Sequence, residues 1–170
     1  AHVVVPGRLQ RIDEGQDYLA IVDYAHKPAA VAAVIATLRS EIKGRLCVVL
    51  GAGGDRDASK RAIMGREAAR GSDLFIVTDD NPRSEDPAVI RAAVEAGAYE
   101  LPTEERGEVR NIGDRAAAIR AAIAWAEPGD AVLVAGKGHE TGQNVNGVIH
   151  HFDDREEVRA ALQERRTGSL

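Results

Sequence analysis

The hydrophobic positions of this chain follow two rhythms. In one, apolar residues run almost without a break for the length of a strand: "RLCVVLGA" from Arg45, "DLFIVTD" from Asp73 and "DAVLVAG" from Asp130. Such runs are expected of strands covered on both faces. In the other, apolar residues recur at helical spacing. "KPAAVAAVIATLRSEI" places Val31, Val34, Ile35, Leu38 and Ile42 on one stripe, with Pro28 in its first turn. Further helices are predicted from about Ser59 to Arg70, after Asp86-Pro87, over "GDRAAAIRAAIAWAE" up to Pro128-Gly129, and over the amphipathic "DDREEVRAALQERR". "RLQRID" and "DYLAIVDYAH" read as two strands joined by a turn at Glu14-Gly15-Gln16, and "VIHHFDD" as a last, edge strand. Buried strands alternating with helices predict an α/β fold: a Rossmann-like, doubly wound, mainly parallel sheet with helices on both faces.

In such sheets ligands bind beyond the carboxyl ends of the strands. All three buried strands end in polar, glycine-bearing or charged loops: "GAGGDRDASKR", "TDDNPRSED" and "AGKGHETGQ". They are expected to share one crevice. Gly51, Gly53 and Gly54 allow close approach of the backbone to a ligand. The loop is not a phosphate-binding Gly-Lys-Ser/Thr loop, and Arg56 stands where a dinucleotide fingerprint needs its third glycine. In "DDNPR", Asn81 can donate and accept, and Arg83 offers a planar fork to a carboxylate or phosphate, stiffened by Pro82. In "GKGHE", Glu140 can hold an ammonium group, while the missing second His excludes the H-E-x-x-H zinc motif. In "VDYAHKP", Asp23 can accept from a ribose hydroxyl, and His26 can stack or donate. Each loop also has an ordinary reading. These are a tight turn with an Asp55–Arg56 ion pair, an Asx turn with a solvated Arg83, a glycine turn with a surface Lys137 and Glu140, and strand-end capping by Asp23. His150 and His151 are assigned no function.

Composition narrows the partners. With 44% hydrophobic and 29% charged residues the chain has material for one ordinary core, and its formal charge of −5 argues against broad nucleic-acid binding. Aromatics at 4% do not furnish a base-stacking platform. The single Cys47 excludes an internal disulfide and fits a cytoplasmic setting. No run has the length of a membrane span or the make-up of a signal peptide, so no membrane partner is expected. The first residues, Ala1-His2-Val3, lack a Met, as in a processed chain or an excised fragment.

In order and approximate spacing, "VPGRLQ", "VDYAHKP", "GAGGDRDASKR", "TDDNPR" and "AGKGHE" resemble the C-terminal domain of the Mur ligases, and most closely the branch that adds diaminopimelate. The resemblance covers nearly the whole chain. It implies that residues 1–8 are a hinge at the end of a central ATPase domain, 9–166 the C-terminal amino-acid-binding domain, and 167–170 a frayed tail. It implies an ATP-dependent ligase of peptidoglycan precursor synthesis, joining meso-2,6-diaminopimelate to UDP-MurNAc-L-Ala-D-Glu through an acyl phosphate. ATP and Mg2+ would be held mainly by the central domain. Arg56, Asn81, Arg83, Gly136 and Glu140 would bind diaminopimelate, with Asp80 and Pro82 shaping the loop. Arg8 and Asp23 would contact ATP, and Tyr24 and His26 would lie in the nucleotide-facing segment. Lysine-adding members of the family differ at the Arg83 position. Two positions depart from the common pattern, Ala52 for a frequent Cys and Lys27 for a frequent Thr or Asn; neither supplies a proposed ligand group. A stand-alone binding module without catalysis is the competing expectation.

Overall fold

A computed structural model describes residues 7–170; of the expected hinge, residues 1–6 lie outside the described residues. The central sheet contains β1 (Gln10–Arg11), β2 (Leu19–Asp23), β3 (Leu46–Leu50), β4 (Leu74–Val77), β5 (Glu108–Asn111) and β6 (Ala131–Ala135). Its strand order is β1-β2-β6-β3-β4-β5, with every pairing parallel except β1 against β2.

Alternation along these strands divides the core into two layers. Ile21, Val48, Leu50, Phe75, Val77 and Leu133 point to the face covered by α1 (Pro28–Glu41), α2 (Arg61–Gly71) and α3 (Pro87–Ala98). Val22, Cys47, Val49, Ile76, Val132 and Val134 point to the face covered by α4 (Arg115–Trp125) and α5 (Asp154–Arg166). β3, β4 and β6 are buried at every position, which is why they read as continuous apolar runs. Helix starts follow the local chemistry. Pro28 and Pro87 occupy first-turn positions, and the Asp86, Asp114 and Asp153 carboxylates accept from backbone N–H groups of their own first turns.

The structure refines three of these expectations. "VIHHFDD" does form a last strand, β8 (Val148–His151), paired with β7 (Gly142–Val145) in a hairpin separate from the main sheet. The helix expected from Ser59 begins as a 3-10 turn at Ala58–Lys60. The tail after α5 turns back on the helix, with Gly168 N donating to Arg165 O and Ser169 N to Glu164 O, and Gly168 at φ 79°. This is the Schellman arrangement, which satisfies carbonyls the helix end would leave open.

β3 continues outward through α2, β4, α3 and β5, and α4 then returns the chain on the other face to β6, between β3 and β2. The carboxyl ends of β3 and β6 therefore diverge, and a crevice opens at that reversal of strand order.

Candidate functional site

The loop after β3 and the loop after β4 lie main chain against main chain. Gly54 N donates to Asn81 O at 2.8 Å, and Thr78 N to Leu50 O at 3.0 Å. A Cβ on Gly54 would overlap the Pro82 carbonyl, and one on Gly51 would overlap the Thr78 carbonyl, so both positions need glycine. Side chains fasten the same seam. Asp55 accepts from Ser84 Oγ at 2.6 Å and Ser84 N at 3.2 Å. Glu85 accepts from Asp55 N at 2.6 Å and from the Arg61 guanidinium at 2.7 Å. The Ser84 hydroxyl, foremost, holds the Asp55 carboxyl below the usual range, and Arg61 does the same for Glu85. No Asp55–Arg56 ion pair forms: Arg56 Nη1 donates to the Asp55 carbonyl, and the carboxylate turns to Ser84.

The hairpin β7–β8 braces "DDNPR" from the other side. Arg83 N donates to Asn144 O at 2.9 Å, Asn146 N to Arg83 O at 2.7 Å, and Gln143 Nε2 to Asp80 O at 2.8 Å. This strand-like pairing holds Arg83 at φ 52°, a left-handed backbone that a bulky residue keeps only when its surroundings fix it. Arg83 Nη1 donates to Gly54 O at 2.9 Å. Among the described residues the guanidinium makes no other hydrogen bond, so the rest of the fork is available to a ligand.

Lys137 is the residue most misjudged from sequence. It is fully buried, with Nζ 3.3 Å from Asp80 Oδ1, 3.2 Å from Asn81 Oδ1 and 3.8 Å from Glu140 Oε1. A lysine between two glycines reads as a surface turn; no local signal announces burial against partners 57 and 56 residues away. Arg115, at the start of α4, is likewise fully buried against a distant partner, Asp154, 39 residues on.

These elements enclose a crevice of about 480 Å³, within the usual span for small-molecule sites. Tyr24, His26, Gly53, Arg56, Asp80, Asn81, Arg83, Gly136 and Glu140 all line it, together with Lys27, Lys60 and Ala52. All three loaded loops thus meet, as does "VDYAHKP". Pro82, Arg8 and Asp23 do not line it. Pro82 packs its carbonyl on Gly54. Asp23 is buried and accepts from Leu9 N and Ala25 N, each at 2.7 Å, so it caps the strand end and ties down the incoming chain. Arg8 lies over the Tyr24 ring, 4.9 Å from its centroid, and Tyr24 is 4.7 Å from His26. Among the described residues, no group of three or more His, Cys, Asp or Glu is placed to hold a metal ion. Among the described residues no helix is long and apolar enough to cross a membrane.

Residues 7–138 match the family model described as "Mur ligase, glutamate ligase domain". The chain is 66% identical over 170 residues to the UDP-N-acetylmuramoyl-L-alanyl-D-glutamate–2,6-diaminopimelate ligase of Corynebacterium glutamicum, covering 99% of this chain and 33% of that protein. It is 58% identical over 160 residues to the ligase of the same name from Streptomyces avermitilis, covering 94% and 32%. A solved structure of a ligase of that name superposes with a TM-score of 0.87 at 41% identity, over 97% of this chain and 33% of that one. The chain thus spans about a third of the length of the relatives it matches. With residues 7–138 matched by the family model and the solved ligase structure superposing over 97% of the chain, the chain belongs to the Mur ligase family and corresponds to its C-terminal domain.

Proposed function

We propose that this chain is the amino-acid-binding domain of an ATP-dependent ligase that joins meso-diaminopimelate to UDP-MurNAc-L-Ala-D-Glu in the cytoplasm. The observation that carries this reading is the convergence of Arg56, Asn81, Arg83 and Glu140 on one crevice. Diaminopimelate is a zwitterion with two carboxylates and two ammonium groups. Arg56 and the free part of the Arg83 fork suit carboxylates, and Glu140 suits an ammonium. The local cations let a domain of net charge −5 hold the carboxylates of a zwitterionic ligand.

When bound, ATP and Mg2+ would supply the chemistry that activates the dipeptide carboxylate as an acyl phosphate. The residues of this chain bind and orient the diamino acid so that one of its amines reaches that carbonyl, forming the amide as phosphate leaves. Tyr24 and His26 form one edge of the crevice, with Arg8 lying over the Tyr24 ring outside it, and these residues would meet the nucleotide as the domains close. Asp23 supports that edge by holding Leu9. The ATP phosphates and metal would be held mainly by the rest of the longer protein, so this chain alone is expected to hydrolyse no ATP.

The full-length protein, supplied with ATP, Mg2+, UDP-MurNAc-L-Ala-D-Glu and meso-diaminopimelate, tests the reading. Stoichiometric phosphate release with a product heavier by one diaminopimelate residue is expected. Efficient turnover with another amino acid and none with diaminopimelate would refute it.

A further inference from the structure

We propose that Lys137 is a positioning residue that fixes the side-chain amide of Asn81 as a hydrogen-bond donor toward the crevice and so sets its affinity for a carboxylate ligand. This rests on the reading that the crevice takes a diamino dicarboxylic acid.

Two groups converge on one atom of Asn81. Asn144 N lies 2.9 Å from it, and Lys137 Nζ 3.2 Å. A backbone N–H and an ammonium can only donate, so the atom between them must be the amide oxygen. The NH2 group is thereby turned the other way. Among the described residues it has no acceptor, and Asn81 lines the crevice. It is a donor held ready for a ligand oxygen. Asn144 N alone fixes one lone pair. Removing the Lys137 cation would leave the amide less strongly held and Asp80, itself 9% exposed, without its charge partner.

Lys137 also has a bearing on Glu140. Its ammonium lies closer to Asp80 and Asn81 than to Glu140, and Glu140 is the more exposed of its two carboxylate neighbours. Asp80 is therefore its main counter-charge, leaving Glu140 the acidic group open to a ligand ammonium. One buried cation thus orders both kinds of ligand contact, a donor for carboxylate and an acceptor for ammonium, without touching ligand itself.

Lys137→Met and Lys137→Gln in the full-length protein test this, with KM measured separately for meso-diaminopimelate and for ATP. The Met variant keeps the length and loses every donor; the Gln variant keeps a neutral donor. KM for diaminopimelate is expected to rise roughly tenfold to a hundredfold with Met and less with Gln, as for loss of hydrogen bonds to a charged group. KM for ATP should change less than about threefold, since a positioning role is confined to the amino-acid side. An unchanged KM for diaminopimelate in a folded variant would overturn the proposal, as would a parallel rise for ATP, or a Gln variant that does not fold. Failure of the unsubstituted protein to use diaminopimelate would instead remove the functional reading beneath it.

Discussion

The Arg115 guanidinium and the Asp154 carboxylate face each other through two hydrogen bonds of 2.8 Å, both side chains fully buried. The remaining donors of Arg115 reach Asp79 O at 3.1 Å and Ala135 O at 3.0 Å, the carbonyls just beyond β4 and at the end of β6. The pair therefore ties the starts of α4 and α5 to the two strand ends that carry "DDNPR" and "GKGHE".

Removing one partner leaves an uncompensated buried charge. Arg115→Met is expected to destabilise the protein by about 3–5 kcal/mol, and Arg115→Met with Asp154→Leu by clearly less. Denaturant unfolding of the single and double variants checks this. A double variant no more stable than Arg115→Met would contradict the pairing argument.

Glycine at position 54 is a steric demand. Gly54→Ala places a methyl group on the Pro82 carbonyl and must part the two loops. The expected cost is about 1–3 kcal/mol of stability with a larger loss of diaminopimelate affinity, because the seam, and not the core, moves. Thermal unfolding and calorimetric titration of the full-length variant measure both.

The seam is also expected to be acid-sensitive. Asp55 and Glu85 have carboxyl groups held below their ordinary values, chiefly by the Ser84 hydroxyl and the Arg61 guanidinium. Their folded values are depressed, so their stabilisation is complete above the unfolded values of about 3.9 and 4.3 and is lost as pH falls through the folded ones. Hydrogen-exchange protection of Asp55 N and Ser84 N should therefore fall from roughly pH 4.5 downward, ahead of the amides in β3 and β6. Equal protection at pH 6 and pH 3 would contradict this.

What the sequence discloses depends on how local the cause is. β3, β4 and β6 are legible because burial on both faces writes itself as an unbroken apolar run. β5, with the sequence Glu108-Val109-Arg110-Asn111, is a polar edge strand and looks like loop. β7 is polar too, and its pairing with Arg83 depends on a residue far earlier in the chain. The crevice was legible as a convergence of strand-end loops. Its internal wiring was not, since Lys137–Asp80 and Arg115–Asp154 are contacts between distant residues whose local sequence resembles surface turns and helix caps.

On the proposed function, the crevice reads the distal carboxylate of diaminopimelate through Arg83. Diaminopimelate and lysine share a carbon chain and differ by that one group. Arg83 is held by β7 and by Gly54 O, and among the described residues the rest of its fork has no partner. The most direct measurement is kcat/KM of the full-length protein and its Arg83→Ala variant with meso-diaminopimelate and with L-lysine. A charge-assisted contact of about 1.5–3 kcal/mol corresponds to a loss of roughly tenfold to over a hundredfold for diaminopimelate, with the poorer use of lysine nearly unchanged. Equal losses for both amino acids would contradict the claim and assign Arg83 to the loop's architecture alone.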